Sequence, residues 1–289
     1  MQIKRVLVTY KTSIYQKYVL DQKDPIYTKL LAQKHSATKR FQKAHENHIK
    51  SIATIKDVLS ARKIQYKVQP RSRSFDENNF DLIVTVGGDG TFLDASQHIS
   101  QKTIVGVNSN PRDSIGRFCA ITASQFVDFL EQLEAGQTKL IKIARLKADL
   151  NGELLKPILN DILICNRNPV VTSRYIIQKG HKKEEQKSSG IWVSTAAGST
   201  AAVRGAGGVV LSLQDPRFQY VVREPYYQPD AVPTMISSVL DPAQSLVIHS
   251  QMREGSLFLD GSHRRKEFRF GSKLKITGKG PVLQTWNLT

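Results

Sequence analysis

The chain has little of what would mark a disulfide-rich, metal-clustered or membrane-spanning protein. Its 289 residues include two cysteines, Cys119 and Cys165, which are too few for a disulfide framework and have no metal-ligating companions nearby. No run approaches the roughly 18 apolar residues that a membrane-spanning helix requires. Residues 1–10 have the pattern of a first core strand rather than of a signal peptide. We therefore expect buried, reduced thiols and a cytoplasmic protein.

Acidic residues are scarce relative to basic ones. The chain has 25 Asp and Glu against 42 Lys and Arg, which gives a formal net charge of +17. Such a balance favours polyanionic partners, either nucleic acids or small phosphorylated ligands. The basic residues are dispersed, and the densest tract, 179–183, surrounds a glycine, so we interpret it as solvated surface at a turn. No RNA-binding signature or basic zipper occurs, but a nucleic-acid-binding protein without catalysis stays open as an alternative.

Hydrophobic periodicity changes near residue 121. Before it, apolar strands alternate with amphipathic helices, which predicts an α/β domain with a mostly parallel, Rossmann-like sheet. After a short helix at 124–136, strand patterns dominate, and Asn151-Gly152 is a strong hairpin turn, so we expect an antiparallel β domain. We place the domains at 1–121 and 122–274, with 275–289 completing the first. The predicted helices are 25–33, 36–62 and 92–100, and the predicted strands are 6–10, 65–68, 82–86, 103–107, 140–150, 158–165, 174–178, 191–193, 245–250, 256–259, 267–270 and 274–277.

Two histidines of the long helix, His45 and His48, lie one turn apart and could in principle share a metal ion. No third ligand accompanies them in the sequence. Packing or an interface is therefore the better interpretation of the pair.

The most informative stretch is 81–91, where the apolar strand 82–86 leads into Gly87, Gly88, Asp89, Gly90 and Thr91. Glycines permit positive φ angles and allow a ligand to approach the backbone closely. Backbone N–H groups between a strand and a helix bind anions, helped by the positive end of the helix. A carboxylate in such a phosphate-binding turn would accept a proton or help to hold a metal ion. An ordinary turn is the alternative if this stretch is taken alone.

Other candidate ligand-binding stretches lie elsewhere in the chain. Ligands of parallel sheets bind beyond the carboxyl ends of the strands, where both the glycine-rich turn and residues 108–111 are expected. A second glycine-rich stretch, 188–202, passes from a strand into small and hydroxylated residues. Within it, Ser199 and Thr200 could donate hydrogen bonds, and Ala201 permits the close approach of a flat ring. Alone, this stretch would be read as a Gly/Ser loop.

Taken together, these motifs resemble the NAD kinase family. GGDGT at 87–91, Asn-Asp at 160–161, the Ser-Gly-x5-Ala-Ala-Gly-Ser-Thr-Ala series at 189–201 and Leu-Asp-Gly at 259–261 fit that family in order and spacing. Ser-Ser-Gly at 188–190, Val-Arg-Glu-Pro at 222–225 and Asp-Gly-Ser-His at 260–263 are most similar to its plant-type NADH kinase branch. A GGDGT-type lipid or small-molecule kinase is the alternative, although the Gly-Thr-Gly-Asn-Asp element of diacylglycerol-type kinases is missing.

The resemblance implies an α/β domain and a C-terminal antiparallel β-sandwich, with the substrate between them. It also implies an ATP-dependent enzyme that phosphorylates the 2′-hydroxyl of the adenosine ribose of NAD+ or NADH, with Asp89 as the catalytic base. Implied phosphate contacts are Gly87, Gly88, Gly90 and Thr91, and implied dinucleotide contacts are Asp89, Gly90, Asn160, Asp161, Ser189, Ala197, Thr200, Ala201, Ala202 and Asp260. Mg²⁺ would arrive with ATP, with no protein ligand identified for it. We expect a homodimer or homotetramer, without a membrane or a specific nucleic acid as partner.

The chain departs from the family pattern at several positions. Asp161 stands where the family usually has Glu, Ser189 replaces an Asp, and Ala202 replaces a Tyr. Residues 108–116 replace the common Asn-x-Gly-x-Leu-Gly-Phe loop. The loss of an acidic side chain at 189, near the nicotinamide end, would loosen the preference for the cationic oxidised ring. NADH is therefore a hypothesis for the substrate.

Overall fold

The computed structural model describes residues 3–227 and 232–286. In this part of the chain there are nineteen strands and five α-helices. The helices are α1 (Pro25–Ala32), α2 (Ser36–Ala61), α3 (Asp89–Ser96), α4 (Phe126–Glu134) and α5 (Ala202–Gly205). The strands are β1 (Arg5–Tyr10), β2 (Gln65–Pro70), β3 (Leu82–Gly87), β4 (Thr103–Asn108), β5 (Ile121–Thr122), β6 (Leu140–Ile143), β7 (Lys147–Leu150), β8 (Glu153–Leu154), β9 (Asp161–Asn166), β10 (Ser173–Lys179), β11 (Lys182–Ser188), β12 (Ile191–Thr195), β13 (Phe218–Val222), β14 (Ser237–Leu240), β15 (Leu246–Ser250), β16 (Gly255–Leu259), β17 (Arg265–Glu267), β18 (Lys273–Thr277) and β19 (Leu283–Trp286). A π-helical turn, Tyr15–Asp21, and three short 3-10 turns, Glu77–Asn79, Ala123–Gln125 and Ala197–Thr200, connect them.

Contacts divide the chain into two compact units. The first contains the residues up to 141 and those from 284 onward, and the second is Lys142–Leu283. The sequence placed the division at 121/122, ahead of α4. The structure keeps α4 in the first unit because its apolar stripe, which includes Phe126 and Leu130, packs in that unit's core.

The first unit is built on a seven-stranded, mostly parallel sheet with the order β2-β1-β3-β4-β19-β6 and with β5 beside β4. Every residue of β3 is buried, as its apolar sequence predicted. The predicted helices α1 and α2 are confirmed. Asp24 caps α1 by accepting hydrogen bonds from the N–H groups of Ile26 and Tyr27. The apolar stripe of α2 contributes Ile55 and Leu59 to the core of this unit.

Strand β19 returns to the first unit from the far end of the chain. It pairs in parallel with β4, with Thr285 opposite Ile104. The Thr285 hydroxyl donates a 2.8 Å hydrogen bond to the Ile104 carbonyl. The Trp286 ring packs edge-on against Phe129, with 4.8 Å between the ring centroids. The last described strand is therefore an interior strand of the first sheet.

The second unit consists of two six-stranded antiparallel sheets, β11-β10-β15-β18-β7-β8 and β14-β13-β12-β9-β16-β17. One continuous apolar core receives residues from both sheets, for example Ile177 and Ile248 from one and Ile164 and Leu257 from the other. Two sheets that share a core in this way form a sandwich. The predicted fold class, an α/β domain followed by an antiparallel β-sandwich, is confirmed.

Some strands of the structure were predicted wrongly or were not predicted. The single strand predicted at 140–150 is two strands in different sheets, because the buried Arg145 between them binds the turn at 280–281 through its side chain and its carbonyl. Strand β11 was missed because its sequence, KKEEQKS, is almost wholly polar, as an edge strand tolerates. Strand β13 was missed because Gln219 interrupts its apolar run, although the Gln219 amide is buried against the backbone of Val209.

The tract 179–183 forms a hairpin turn between β10 and β11, with Gly180 at φ +59°, as predicted. The Asn151-Gly152 turn between β7 and β8 is confirmed as well, with both residues at positive φ. Of the helices in the described ranges, none combines the length and the apolar character needed to cross a bilayer.

Candidate functional site

The glycine-rich turn is the start of a helix rather than a loop before one. The sequence predicted that the helix begins at Phe92, but α3 begins at Asp89, so that Asp89, Gly90 and Thr91 form its first turn. Gly88 is the N-cap, and no side chain caps this end. The first N–H groups of a helix have no acceptor within the helix and point along its axis. Uncapped N–H groups at the positive end of α3 can therefore bind an anion.

The three glycines act by allowing close approach. Glycine permits positive φ, but none of the three adopts it here. A Cβ atom on Gly87 would lie 2.3 Å from the Thr91 hydroxyl oxygen, and one on Gly90 would lie 3.1 Å from the Arg71 guanidinium. The glycines thus keep the backbone of the turn within reach of neighbouring polar groups.

The carboxylate of Asp89 is held in one orientation. It is half-buried, and its Oδ1 accepts a 2.7 Å hydrogen bond from the N–H of Phe118. The Phe118 ring stacks on Phe92 of α3, with 5.3 Å between the centroids. Orientation by a backbone donor leaves a carboxylate able to accept a proton from a ligand hydroxyl.

Thr91 carries an unsatisfied buried group in the same turn. Its hydroxyl oxygen is buried, lies over Gly87 and has no hydrogen-bond partner among the described residues. Buried hydroxyl groups nearly always have a partner, so this one indicates a contact with a bound molecule. Cys119, near the turn, is free and half-buried rather than buried. Burial, and then the charge of Asp89, raises the pKa of its thiol to about 12, so the thiol stays protonated at neutral pH.

Two cations beside the turn were not singled out from the sequence. Lys11 directly follows β1 and Arg71 directly follows β2, so both lie at the carboxyl edge of the sheet. Arg71 forms an ion pair with Asp94 of α3, with 3.0 Å between Nε and Oδ2. The signal that could have found them is a basic residue immediately after a parallel strand, the place where ligands of such sheets bind.

The second unit brings together four of the other predicted residues around the start of β9. Gly198 lies so close to Asn160 that a Cβ atom there would be 2.4 Å from the Asn160 carbonyl oxygen. The Thr195 hydroxyl donates to the carbonyls of Leu159 and Asn160. The 3-10 turn with Ala197 and Thr200 is therefore fixed against Leu159 and Asn160, directly before Asp161. The side-chain oxygen of Asn160 is buried without a partner in the described part of the chain, as expected for a ligand contact.

Asp161 is a buried carboxyl with a shifted pKa. Burial, and then the neighbouring charge of Asp260, raises its pKa to about 7. Both protonation states are therefore populated near neutral pH. The protonated form can donate a hydrogen bond and the ionised form can only accept one, so Asp161 can match either kind of group on a ligand.

The Asp260 side chain is buried against the backbone of residues 159–161 and against Arg264. Its side chain is 1% exposed. Its Oδ1 accepts hydrogen bonds from the N–H groups of Asn160 at 2.6 Å and Leu159 at 3.1 Å, and its Oδ2 receives Arg264 Nη1 at 3.0 Å. Burial raises the pKa of the Asp260 carboxyl, whereas Arg264 and these N–H groups act in the opposite direction. The contacts make Asp260 an anchor for residues 159–161.

The remaining small residues of the 188–202 stretch differ in exposure. Ser199 is buried, and its hydroxyl donates to the Ala196 carbonyl and accepts from the N–H of Leu211, so the hydrogen bonds that it makes are internal. Thr200 is half-buried, while Ala201 and Ala202 are exposed at the start of α5. These last three residues are the ones accessible to a ligand.

Ser189 has an acidic partner that the sequence did not reveal. Its hydroxyl donates a hydrogen bond to the carboxylate of Glu224. Both residues line a cavity of about 400 Å³. The side chain at 189 lacks an acidic group, as the sequence indicates, but the carboxylate of Glu224 lies beside it.

The two histidines of α2 bind different groups. His45 Nδ1 lies 2.8 Å from the Ser13 hydroxyl, while His48 contacts the Ser109 hydroxyl and the Lys11 carbonyl. The packing interpretation is confirmed. Within the described ranges, no group of three His, Cys, Asp or Glu side chains is arranged to hold a metal ion.

Comparison with known proteins gives a consistent picture. Residues 5–135 match the family model described as the ATP-NAD kinase N-terminal domain. A probable NADH kinase of Oryza sativa subsp. japonica is 32% identical over 261 residues, which cover 82% of this chain and 80% of that protein. An NADH kinase of Arabidopsis thaliana is 31% identical over 269 residues, with 84% of each chain covered.

Two solved structures are similar in fold. An NAD kinase from Archaeoglobus fulgidus in complex with ATP has a TM-score of 0.69 at 18% identity, covering 98% of this chain and 94% of that one. A yeast NADH kinase complexed with NADH has a TM-score of 0.71 at 15% identity, covering 100% of this chain and 84% of that one. At these identities the likeness concerns the fold alone.

Proposed function

Since the chain belongs to the NAD kinase family, we propose that it transfers the γ-phosphoryl group of ATP to the 2′-hydroxyl of the adenosine ribose of NADH and of NAD+. The observation that carries this proposal is the carboxylate of Asp89, oriented by the N–H of Phe118 at the uncapped start of α3. A proton acceptor and a set of anion-binding N–H groups then occupy one turn. Transfer of a phosphoryl group to a hydroxyl is accelerated by both.

In the proposed reaction, the 2′-oxygen attacks the γ-phosphorus. A bond forms between them while the bond from the γ-phosphorus to the β,γ-bridging oxygen breaks, and ADP leaves with that electron pair. Asp89 accepts the proton of the 2′-hydroxyl. The N–H groups of Asp89 and Gly90 and the hydroxyl of Thr91 bind phosphate oxygens, while the N–H of Thr91 donates to the Gly88 carbonyl. Catalysis then comes chiefly from positioning and from stabilisation of negative charge.

Mg²⁺ fits this scheme as a companion of ATP. The described residues contain no cluster of three ligating side chains, and Mg²⁺ in nucleotide sites is usually bound by phosphates, water and only one or two carboxylates. When bound, the ion would neutralise charge on the transferred phosphoryl group.

The dinucleotide-binding role falls to residues of the second unit. We assign the ribose hydroxyls and adenine edges to Asn160 and Asp161, because the first has an unsatisfied buried oxygen and the second can donate or accept. Thr200, Ala201 and Ala202 would border the adenine ring. Ala197, which is buried in the same turn, and Asp260 would act by positioning residues around 159–161. The relatives named as NADH kinases favour NADH as a substrate of this chain.

The kinase proposal is tested directly with the purified protein. NADH or NAD+ is incubated with ATP and Mg²⁺, or with inorganic polyphosphate and Mg²⁺, and NADPH or NADP+ is measured with an enzyme that accepts only the phosphorylated form. We expect product from ATP with both dinucleotides and a higher kcat/KM with NADH. A preparation of Asp89→Asn made in parallel controls for kinases of the expression host. Absence of product with either dinucleotide and either donor would contradict the proposal.

The Glu224 carboxylate is expected to set the balance between the two redox forms. A negative charge beside position 189 favours the cationic ring of NAD+, so Glu224→Gln should lower kcat/KM for NAD+ about three- to fivefold, as expected for a solvent-accessible charge pair. The value for NADH, which carries no ring charge, should stay within a factor of two. Ser189→Ala, which removes the hydrogen bond and keeps the charge, is the matched control. Equal losses for NAD+ and NADH in Glu224→Gln would show that the carboxylate does not sense the ring.

A further inference from the structure

Lys11 lies along the glycine-rich turn and has no counter-ion there. Its Cδ is 3.6 Å from the place that a Cβ on Gly87 would occupy. The side chain is half-buried, and none of the ion pairs among the described residues includes it. Burial lowers the pKa of the Lys11 ammonium, and the Arg71 guanidinium lowers it further. Burying a cation beside another cation is unfavourable unless an anion compensates for it.

The backbone of Lys11 is fixed by a buried hydrogen-bond chain. His48 Nε2 lies 2.8 Å from the Lys11 carbonyl oxygen, which can only accept, so Nε2 carries the hydrogen. Nδ1 of the neutral ring is then the acceptor, and the Ser109 hydroxyl donates to it at 3.0 Å. Burial, and then the charge of Lys11, lowers the pKa of His48 to about 4, so the ring stays neutral at physiological pH.

The same chain reaches the glycine-rich turn. The N–H of Ser109 donates a 3.0 Å hydrogen bond to the Gly87 carbonyl, and the N–H of Lys11 donates to the Val86 carbonyl at 3.4 Å. Lys11, His48, Ser109 and Gly87 are thus linked in one network, although Lys11 follows β1, His48 lies in α2, Ser109 follows β4 and Gly87 ends β3. This network fixes the backbone of Lys11, from which the side chain extends along Gly87 at the glycine-rich turn.

We propose that Lys11 binds a phosphate group of the nucleotide held at the start of α3, and that His48 and Ser109 are its positioning residues. The proposal rests on the proposed kinase function for the identity of the nucleotide, ATP. The groups at this position favour a polyphosphate anion, because a compact ammonium, backbone N–H groups and a helix N-terminus all attract negative charge. The Lys11 ammonium would balance negative charge on the phosphates of ATP. It would also stabilise the negative charge that develops during phosphoryl transfer.

The test compares Lys11→Met, which keeps the length of the stem and removes the charge, with Lys11→Arg, which keeps the charge. We expect Lys11→Met to lower kcat/KM for ATP about 10- to 100-fold, the usual cost of losing a hydrogen bond between charged groups, with little change in KM for the dinucleotide. Lys11→Arg should recover part of the loss. Lys4→Met, which removes an exposed lysine at the opposite end of β1, is the matched control and should behave like the wild type.

Direct binding separates this inference from the kinase proposal. ATP–Mg²⁺ and, separately, inorganic tripolyphosphate are titrated calorimetrically into each variant without dinucleotide, after thermal unfolding has shown that the variants are folded. If the wild type binds ATP but makes no NADP(H), the kinase proposal fails while weaker binding by Lys11→Met still supports the role of Lys11. If the wild type is active and Lys11→Met binds ATP and turns over like Lys4→Met, the role of Lys11 is overturned while the kinase proposal stands.

The positioning role of His48 is tested by a double-mutant cycle. His48→Leu removes the donor to the Lys11 carbonyl, and we expect it to raise KM for ATP several-fold. His48→Gln, which retains an N–H donor, should restore part of the loss. If His48 acts through Lys11, the double variant with Lys11→Met should lose no more ATP affinity than Lys11→Met alone, because the effects of coupled residues are not additive. Fully additive losses would show that His48 is merely structural.

Discussion

Replacing Asp89 with Asn is expected to lower kcat for NADPH formation about 10³-fold, within the range of 10²- to 10⁴-fold that a positioned general base contributes. Asn has the same shape and keeps an oxygen that can accept the hydrogen bond from the N–H of Phe118. Its amide cannot take up a proton at neutral pH. The geometry of the turn should therefore survive while the proton acceptor is lost.

The accompanying measurements decide whether Asp89 acts chemically. KM for ATP and the affinity for NADH should change by less than about threefold, since binding does not require proton transfer. Asp128→Asn is the matched control, because Asp128 is an exposed acidic residue in the first turn of α4 in the same unit. It should retain wild-type turnover. A kcat of Asp89→Asn within tenfold of the wild type would remove Asp89 from the mechanism.

Replacing Asp260 with Asn is expected to destabilise the second unit by about 3 kcal/mol, the usual cost of breaking a buried ion pair by removing one partner. Asn tolerates the left-handed conformation of this position, where φ is +51°, so the substitution should add no backbone strain. What is lost is the negative charge that faces Arg264 and the N–H groups of 159–161. Arg264 would keep its bonds to the carbonyls of Lys156 and Pro157 but lose its ion pair with Asp260.

Denaturant unfolding measures the loss of stability in Asp260→Asn. A variant that breaks a surface ion pair serves as the control. Glu267, at the end of β17, forms an exposed ion pair with Arg269. Glu267→Gln breaks this pair and should lower the free energy of unfolding by less than about 1 kcal/mol. Adding Arg264→Met to Asp260→Asn should cost less than the sum of the two single changes, because the residues share one interaction. We also expect Asp260→Asn to raise KM for the dinucleotide, since Asn160 and Asp161 lose their anchor. A stability within 1 kcal/mol of the wild type would contradict the anchoring role.

Local patterns were enough to predict part of this molecule. The fully apolar β3, the capped α1 and the long stripe of α2 were predicted because their signals lie within one segment of chain. The start of α3 was misplaced because Gly90 and its neighbours are poor helix formers. The structure offsets that cost by packing α3, which buries Thr91, Phe92 and Leu93.

The site could be predicted at its motifs but not at their partners. Asp89, Asn160 and Asp161 were identified from short motifs, whereas the residues that orient them lie far away in sequence. Phe118 follows Asp89 by 29 positions, and Asp260 follows Asn160 by 100. Glu224 reaches Ser189 across 35 positions. Such pairs depend on strand order and register, which a single sequence does not specify, and so their charges and hydrogen bonds were beyond prediction.

The position of β19 bears on how the chain is made. Strands β1 to β4 are synthesised early, yet the strand that lies beside β4 in the finished sheet is encoded at residues 283–286. While the ribosome is still adding the sandwich, the edge of β4 that faces β19 has unpaired backbone groups, and such an edge is prone to pairing with other chains. The first unit therefore completes its sheet only after residue 286 has emerged from the ribosome. A fragment ending at 141 would lack β19, which lies inside the sheet between β4 and β6.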